Sequence, residues 1–183
     1  MKTLIINGSP RRQGDCAYIE QELRNRLEGE VISVSAYRDG IAPCIDCRGC
    51  QRNYGCVVKD GMKVIYDAIE SCDNIILLSP VYYRNLTPPM LNILSRMQVN
   101  FSSKFYHGRE FVKKGKRGAF FLVGGGSGKP DMAAVTARII LHQLGASDPL
   151  YEDGYFDTDN VMFRDLPDAE QRIEALAEWV KGM

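Results

Sequence analysis

Short, nearly unbroken apolar runs alternate along this chain with segments whose apolar residues recur at helical spacing. No other feature constrains the fold as tightly. Thr3 to Ile6, Val31 to Val34, Asn74 to Leu78 and Ala119 to Val123 are too short for buried helices and read as strands of a parallel sheet. A fifth strand is expected within Pro149 to Phe156. Between the runs, Cys16, Ile19, Leu23 and Leu27 mark one helix, and Met62, Ile65 and Ile69 a second. Thr87 and Pro88 read as the cap and first position of a third, with Met90, Leu91, Leu94 and Met97 as its buried stripe. Met132, Val135 and Ile139 begin a fourth, which Gly145 can close, and Pro167 to Val180 reads as the last, with Trp179 packing it on the sheet. Strand–helix alternation implies parallel strands joined by right-handed crossovers, here five strands in the order 2-1-3-4-5. Such a sheet binds ligands at the carboxyl ends of its strands, near the point where strand order reverses.

The 183 residues suit a single domain spanning 1–183. Apolar residues make up 45% of the chain, enough for a sizeable core. Its 23 basic and 23 acidic residues balance, which argues against a nucleic-acid partner. The apolar runs are too short to span a bilayer, and Met1 leads directly into a strand without a signal-peptide pattern, so a cytoplasmic location is expected. His107 and His142 have no partners that suggest a catalytic triad.

Three polar, glycine-bearing loops are expected at the ligand edge. The first, Asn7 to Cys16, places Gly8 and Gly14 before a helix whose N-terminus offers unpaired N–H donors and partial positive charge. Ser9 can donate a hydrogen bond to phosphate and Arg11 a charged fork. The loop has neither the Gly-Lys-Ser/Thr of a Walker A motif nor the G-x-G-x-x-G of a dinucleotide fold. The second, Ser79 to Thr87, contains Pro80, Val81, Tyr82, Tyr83 and Asn85. The third is Gly124-Gly125-Gly126-Ser127-Gly128, a backbone suited to lying against something flat or bulky, or else a flexible surface loop.

Gly8-Ser9-Pro10-Arg11 followed by Gly14 resembles the phosphate loop of the NADPH-dependent FMN reductase family, whose fold is flavodoxin-like. The Pro80-x-Tyr82 segment and the glycine loop follow in that family's order, so the resemblance covers Lys2 to about Gly145. It implies that Ser9, Arg11, Gly14, Asp15 and Cys16 hold the FMN phosphate. Pro80, Val81, Tyr82, Tyr83 and Asn85, with Gly124, Gly125 and Gly126, would flank the isoalloxazine. Asp15 and Cys16 depart from the family's usual Asn and Ser/Thr; Asp15 is expected to cap the helix, turned away from the ligand, and Cys16 to be a buried thiol like Cys72.

Cys44, Cys47, Cys50 and Cys56 follow the second strand with the spacing C-x2-C-x2-C-x5-C. Three thiolates at this pitch can wrap a metal centre and a fourth can close it. The spacing leaves a [4Fe–4S] cluster, structural zinc and free redox-active thiols all open. The arrangement resembles the iron–sulfur flavoproteins, a branch of the same family, and that resemblance implies a cluster on these four cysteines. Asp60-Gly61 stands where the family usually has Asp-Asp before the next helix.

The resemblance implies an FMN-dependent oxidoreductase that takes electrons from NAD(P)H and passes them to a flavin, quinone or nitro compound, or to a redox protein, as a homodimer or homotetramer. One exposed flavin face serving donor and acceptor in turn predicts ping-pong kinetics. The rivals are an electron carrier without a substrate of its own and a zinc-stiffened binding module. The basic run Lys113, Lys114, Lys116 and Arg117 reads as a solvated turn or as an aid in holding an NADPH 2′-phosphate, and Phe101 to Phe111 as an aromatic connection that can cover a partner subunit.

Overall fold

The computed structural model describes residues 1–126 and 129–182. Five strands, β1 (Lys2–Asn7), β2 (Glu30–Ser35), β3 (Asn74–Pro80), β4 (Arg117–Val123) and β5 (Tyr151–Tyr155), pair throughout in parallel, in the order β2-β1-β3-β4-β5. The helices are α1 (Asp15–Arg26), α2 (Gly49–Arg52), α3 (Met62–Ser71), α4 (Pro88–Arg96), α5 (Gln98–His107), α6 (Asp131–Gln143) and α7 (Ala169–Lys181), with a 3-10 turn at Phe163–Asp165. The expected strand order, of flavodoxin type, is the observed one.

Successive strand side chains point to opposite faces, so the apolar runs divide between two cores. Leu4, Ile6, Ile75, Leu77, Phe120 and Leu122 pack with α3, α4 and α6. Ile5, Ile76, Leu78, Phe121 and Val123 pack with α1, α7 and Phe163 on the other side. Trp179 is only partly buried there, with the Arg117 guanidinium over its ring.

Four local expectations need correction. Phe101 to Phe111 is not a connection: most of it is α5, which buries Val99, Ser102 and Ser103 and leaves Phe101, Phe105 and Tyr106 exposed. On α6, Met132, Val135 and Ile139 face outward, about half exposed, while Ala133, Ala137, Ile140 and Leu141 face the core. The alanines give the inner face its close approach to the sheet, and the larger residues of the same period remain outside. Thr87 stands at the start of α4, but its hydroxyl donates to the Gly8 carbonyl (2.9 Å) instead of capping the helix. The basic run lies at the amino ends of the strands, where Lys113, Lys114, Lys116 and Arg117 share a pocket with Met1 and Asp73. Lys116 is buried, with its ammonium donating to the Lys113 carbonyl, and burial lowers its pKa. The run is therefore neither a fully solvated turn nor close to the ligand edge.

Candidate functional site

At the carboxyl end of β1 the chain turns under its own side chains. Asn7 accepts from the Ser9 amide (2.8 Å) and donates to Glu20 (2.7 Å), and the Ser9 hydroxyl accepts from the Arg11 amide (3.2 Å). Gly8 bonds the Leu78 carbonyl through its N–H (2.7 Å) and Thr87 through its own carbonyl, so the loop is fixed to β3 and to α4. Neither Gly8 nor Gly14 has a positive φ. Gly8 is needed for close approach, since a Cβ there would stand 2.5 Å from Met90 Cγ and 3.1 Å from Ser79 Oγ.

Helix α1 begins at Asp15 with no side-chain cap; the Ala17 amide donates to the Gly14 carbonyl, and the Asp15 and Cys16 amides, without a partner among the described residues, are free to face an anion. Asp15 lines this end but does not cap the helix, the role its sequence position had suggested. Its Oδ1 accepts from the Phe163 amide (2.9 Å), tying α1 to the 3-10 turn. Cys16 is buried beside Ser9; burial, then the neighbouring Asp15 and Glu20, push its thiol well above the ordinary range, so it stays protonated. Arg11 and Arg12 are exposed and form no ion pair among the described residues.

The second loop leaves β3 with the Val81 amide on the Val123 carbonyl (2.8 Å). Tyr82 and Asn85 then exchange two backbone hydrogen bonds of 2.8 and 2.9 Å around Tyr83 and Arg84, whose φ angles are +49° and +65°. Two left-handed central residues make a type I′ hairpin turn, a conformation that is strained for bulky side chains. Arg84 is held by Asp131 at the start of α6 (2.7 and 2.9 Å). Tyr82 is partly exposed, and burial and then the neighbouring Tyr82 phenol raise the Tyr37 phenol pKa.

Of the third loop, Ser127 and Gly128 lie outside the described residues. A Cβ at Gly125 would meet the Asp159 carboxylate at 2.2 Å, and one at Gly124 would meet the Phe156 ring at 3.1 Å. The first two glycines thus let the segment after β5 lie against the loop, an approach reinforced by the Thr158 amide on the Gly124 carbonyl (3.0 Å). Nothing stands within 4 Å of a Cβ at Gly126.

All three loops meet in one shallow cleft of about 100 Å³. It is lined by Ser9, Arg11, Gly14, Asp15, Cys16, Pro80, Val81, Tyr82, Gly124 and Gly125. Tyr83, Asn85 and Gly126, expected with them, do not line it; Tyr83 projects into solvent at the hairpin tip. Thr158 and Asp159 do line it and were missed, although the polar stretch Asp157 to Asn160 after the fifth apolar run was a signal for a fourth loop. The unpartnered amides of α1 fit a phosphate; the Asp15 carboxylate there accepts from the Phe163 amide, and the Asp159 carboxylate also lines the cleft. A cleft this small accommodates a large heterocycle lying along its open rim better than one enclosed within it.

The four cysteines of the second cluster line a separate pocket of about 350 Å³ together with Ser95, Arg96 and Ser102. All four thiols are free. The backbone amide of Cys44 donates to Ser95 Oγ (3.0 Å), Cys50 Sγ meets Ser102 Oγ (3.2 Å), and Cys56 Sγ accepts from Arg96 (3.3 Å). His107, unassigned by sequence, has its Nε2 2.9 Å from the Cys50 carbonyl. Among the described residues no three Cys, His, Asp or Glu side chains converge as a single ion requires. Four cysteines on one pocket are the donor set that the spacing pointed to, for a [4Fe–4S] cluster or for zinc.

The Asp60-Gly61 pair has a local role before α3. Asp60 accepts from the Met62 amide at the start of α3, and a Cβ at Gly61 would sit 1.7 Å from the Asp39 carbonyl.

A family model described as NADPH-dependent FMN reductase matches residues 1–156. An iron–sulfur flavoprotein of Archaeoglobus fulgidus is 32% identical over 158 residues, covering 85% of this chain and 69% of the relative. One from Methanosarcina thermophila is 31% identical over 130 residues, covering 68% of this chain and 64% of that protein. The crystal structure of an FMN-dependent NADH-azoreductase from Bacillus anthracis in complex with FMN superposes with a TM-score of 0.70 at 15% identity, covering 97% of this chain and 98% of the other, a likeness of fold. With its three glycine-bearing and polar loops gathered at one sheet edge, the chain belongs to the NADPH-dependent FMN reductase family of flavin-dependent oxidoreductases, alongside the iron–sulfur flavoproteins.

Proposed function

We propose that the protein binds FMN across the three loops and uses it to carry electrons from NAD(P)H to a small acceptor, a flavin, quinone or nitro compound, or to a redox protein. The observation that carries this reading is the uncapped N-terminus of α1 sharing a cleft with the Pro80–Tyr82 segment and the glycine loop. In it, the amides of Gly14, Asp15 and Cys16, with Ser9 and Arg11, hold the phosphate. Pro80, Val81 and Tyr82 supply an apolar wall on one side, and Gly124 and Gly125 line the other. Bound FMN supplies the two-electron acceptor for hydride from the nicotinamide. The protein's task is to bind and orient, and no side-chain acid or base is needed for that transfer.

Cys44, Cys47, Cys50 and Cys56 are read as the ligands of a [4Fe–4S] cluster, which would supply one-electron steps toward a protein partner. The free thiols suit a reducing compartment, and we place the protein in the cytoplasm. Among the described residues no helix is long and apolar enough to cross a membrane. The exposed Phe101, Phe105, Met132, Val135 and Ile139 support a homodimer or homotetramer.

Steady-state oxidation of NADH and NADPH by the FMN-loaded protein, with flavin, quinone and nitro acceptors, tests the reading. Turnover with parallel double-reciprocal lines is expected. FMN binding without turnover on any acceptor would favour a carrier, and failure to take up FMN would refute the site.

A further inference from the structure

The largest buried polar side chain lies outside the flavin cleft. Arg96, at the last turn of α4, is 1% exposed in its side chain, and its guanidinium reaches both ends of the four-cysteine segment. Nη1 donates to the Ala42 carbonyl (3.1 Å), two residues before Cys44, and Nη2 donates to the Val58 carbonyl (3.3 Å), two residues after Cys56. The same Nη2 meets Cys56 Sγ at 3.3 Å. Asp60 balances the charge through contacts of 2.7 and 3.2 Å, and it also accepts from the amides of Ala42 and Met62. Tyr66 fixes the helix end by donating to the Arg96 carbonyl (2.8 Å). A buried guanidinium needs acceptors on every face, and here the backbone of the cysteine segment provides them. Its Nε is buried without a partner.

Of the four cysteines, only Cys56 has a cationic donor on its sulfur among the described residues. The nearest side-chain partner of Cys50 is the neutral Ser102, and Cys44 is held through its backbone amide. A fixed positive charge beside one ligand sulfur stabilises the more negative, reduced state of whatever that sulfur binds.

We propose that Arg96 is the positioning residue of the four-cysteine pocket: it fastens both ends of the segment and holds a fixed positive charge against the sulfur of Cys56. The charge effect rests on the cluster reading above, whereas the clamp does not. Arg96 remains charged throughout. A guanidinium is not deprotonated in proteins.

Two measurements on the full chain test this, with FMN uptake as the check of folding. The first is hydrogen exchange of residues 42–58 in the metal-free protein. Arg96→Met is expected to speed exchange there about tenfold or more while leaving residues 7–16 unchanged. The second is the one-electron midpoint potential after anaerobic reconstitution with iron and sulfide. Arg96→Met and Asp60→Asn break the same ion pair but remove opposite charges. The reduction equilibrium is therefore expected to fall about tenfold in the first and rise in the second, on the scale of one charge-assisted hydrogen bond. Arg96→Lys, which keeps the charge and loses the fork, restores the potential but not the slow exchange.

Shifts in the same direction for Arg96→Met and Asp60→Asn would show a purely structural role and overturn the charge assignment, and unchanged exchange would overturn the clamp. Should Arg96→Met not fold, faster exchange of residues 42–58 in Arg96→Lys decides the clamp, and a raised potential in Asp60→Asn beside an unchanged one in Arg96→Lys decides the charge; a lowered or unchanged potential in Asp60→Asn overturns it. If the wild-type protein takes up no iron, the cluster reading and the charge assignment fall together, and exchange alone decides the clamp.

Discussion

Removing a single hydroxyl should loosen the flavin site without entering it. Thr87→Val keeps the shape of a fully buried side chain and deletes its donor to the Gly8 carbonyl, a contact joining chain segments 79 residues apart. Among the described residues that carbonyl has no other protein donor. A buried acceptor left unpaired costs about 1–3 kcal/mol. At about 2–4 °C per kcal/mol for a domain of this size, thermal unfolding should move down by about 4–8 °C for a loss near 2 kcal/mol. Half of that loss, expressed as a less populated binding-competent loop, weakens FMN about fivefold. Differential scanning fluorimetry and FMN fluorescence titration read the two effects. Thr136→Val, which removes a hydroxyl bonded within α6 to the Met132 carbonyl, is the control and should leave FMN affinity unchanged. Full FMN affinity in Thr87→Val would refute the idea that this bond holds the phosphate loop in register with the ring loop.

Other consequences concern the ends of α3. Gly61→Ala should destabilise by about 3 kcal/mol in urea unfolding, because the new Cβ meets the Asp39 backbone carbonyl; an unchanged midpoint would contradict the close approach. Burial tends to raise the Asp60 pKa, but Arg96 and the amides of Ala42 and Met62 outweigh it and hold the carboxyl below its ordinary value. A depressed folded-state pKa gives stability that is complete above the unfolded value of about 3.9 and is lost as pH falls through the folded one. Wild-type protein should therefore lose stability more steeply below about pH 4 than Asp60→Asn, which starts lower and changes less. Parallel acid-unfolding curves would contradict this. Changing Cys44, Cys47, Cys50 and Cys56 together to serine should abolish iron uptake on reconstitution while leaving FMN binding intact, since no cysteine of that pocket lines the flavin cleft.

The sheet was legible because its central strands are buried on both faces and so read as continuous apolar runs. Two loops at the ligand edge were legible for a related reason: a strand end, a glycine and a helix start leave a local signature. What escaped was long-range. Nothing local distinguishes Arg96 from an ordinary cation at a helix C-terminus, and only the folded chain brings the Ala42 and Val58 carbonyls to it. On α6, Met132, Val135 and Ile139 have the period of a buried stripe, but the core-facing positions belong partly to Ala133 and Ala137, whose small size hides them from a hydrophobicity pattern. Gly125 reads as a ligand-facing glycine, whereas the space it leaves is used by Asp159, 34 positions later in sequence and adjacent only after β5 joins the sheet.

The most direct test of the account is a titration of the flavin-free protein with FMN and, separately, with riboflavin, followed by quenching of flavin fluorescence. A phosphate held by the amides of α1 predicts saturation at one FMN per chain and riboflavin weaker by at least about a hundredfold, the scale of two charge-assisted hydrogen bonds. Equal affinity for the two flavins, or no saturation with FMN, would contradict it.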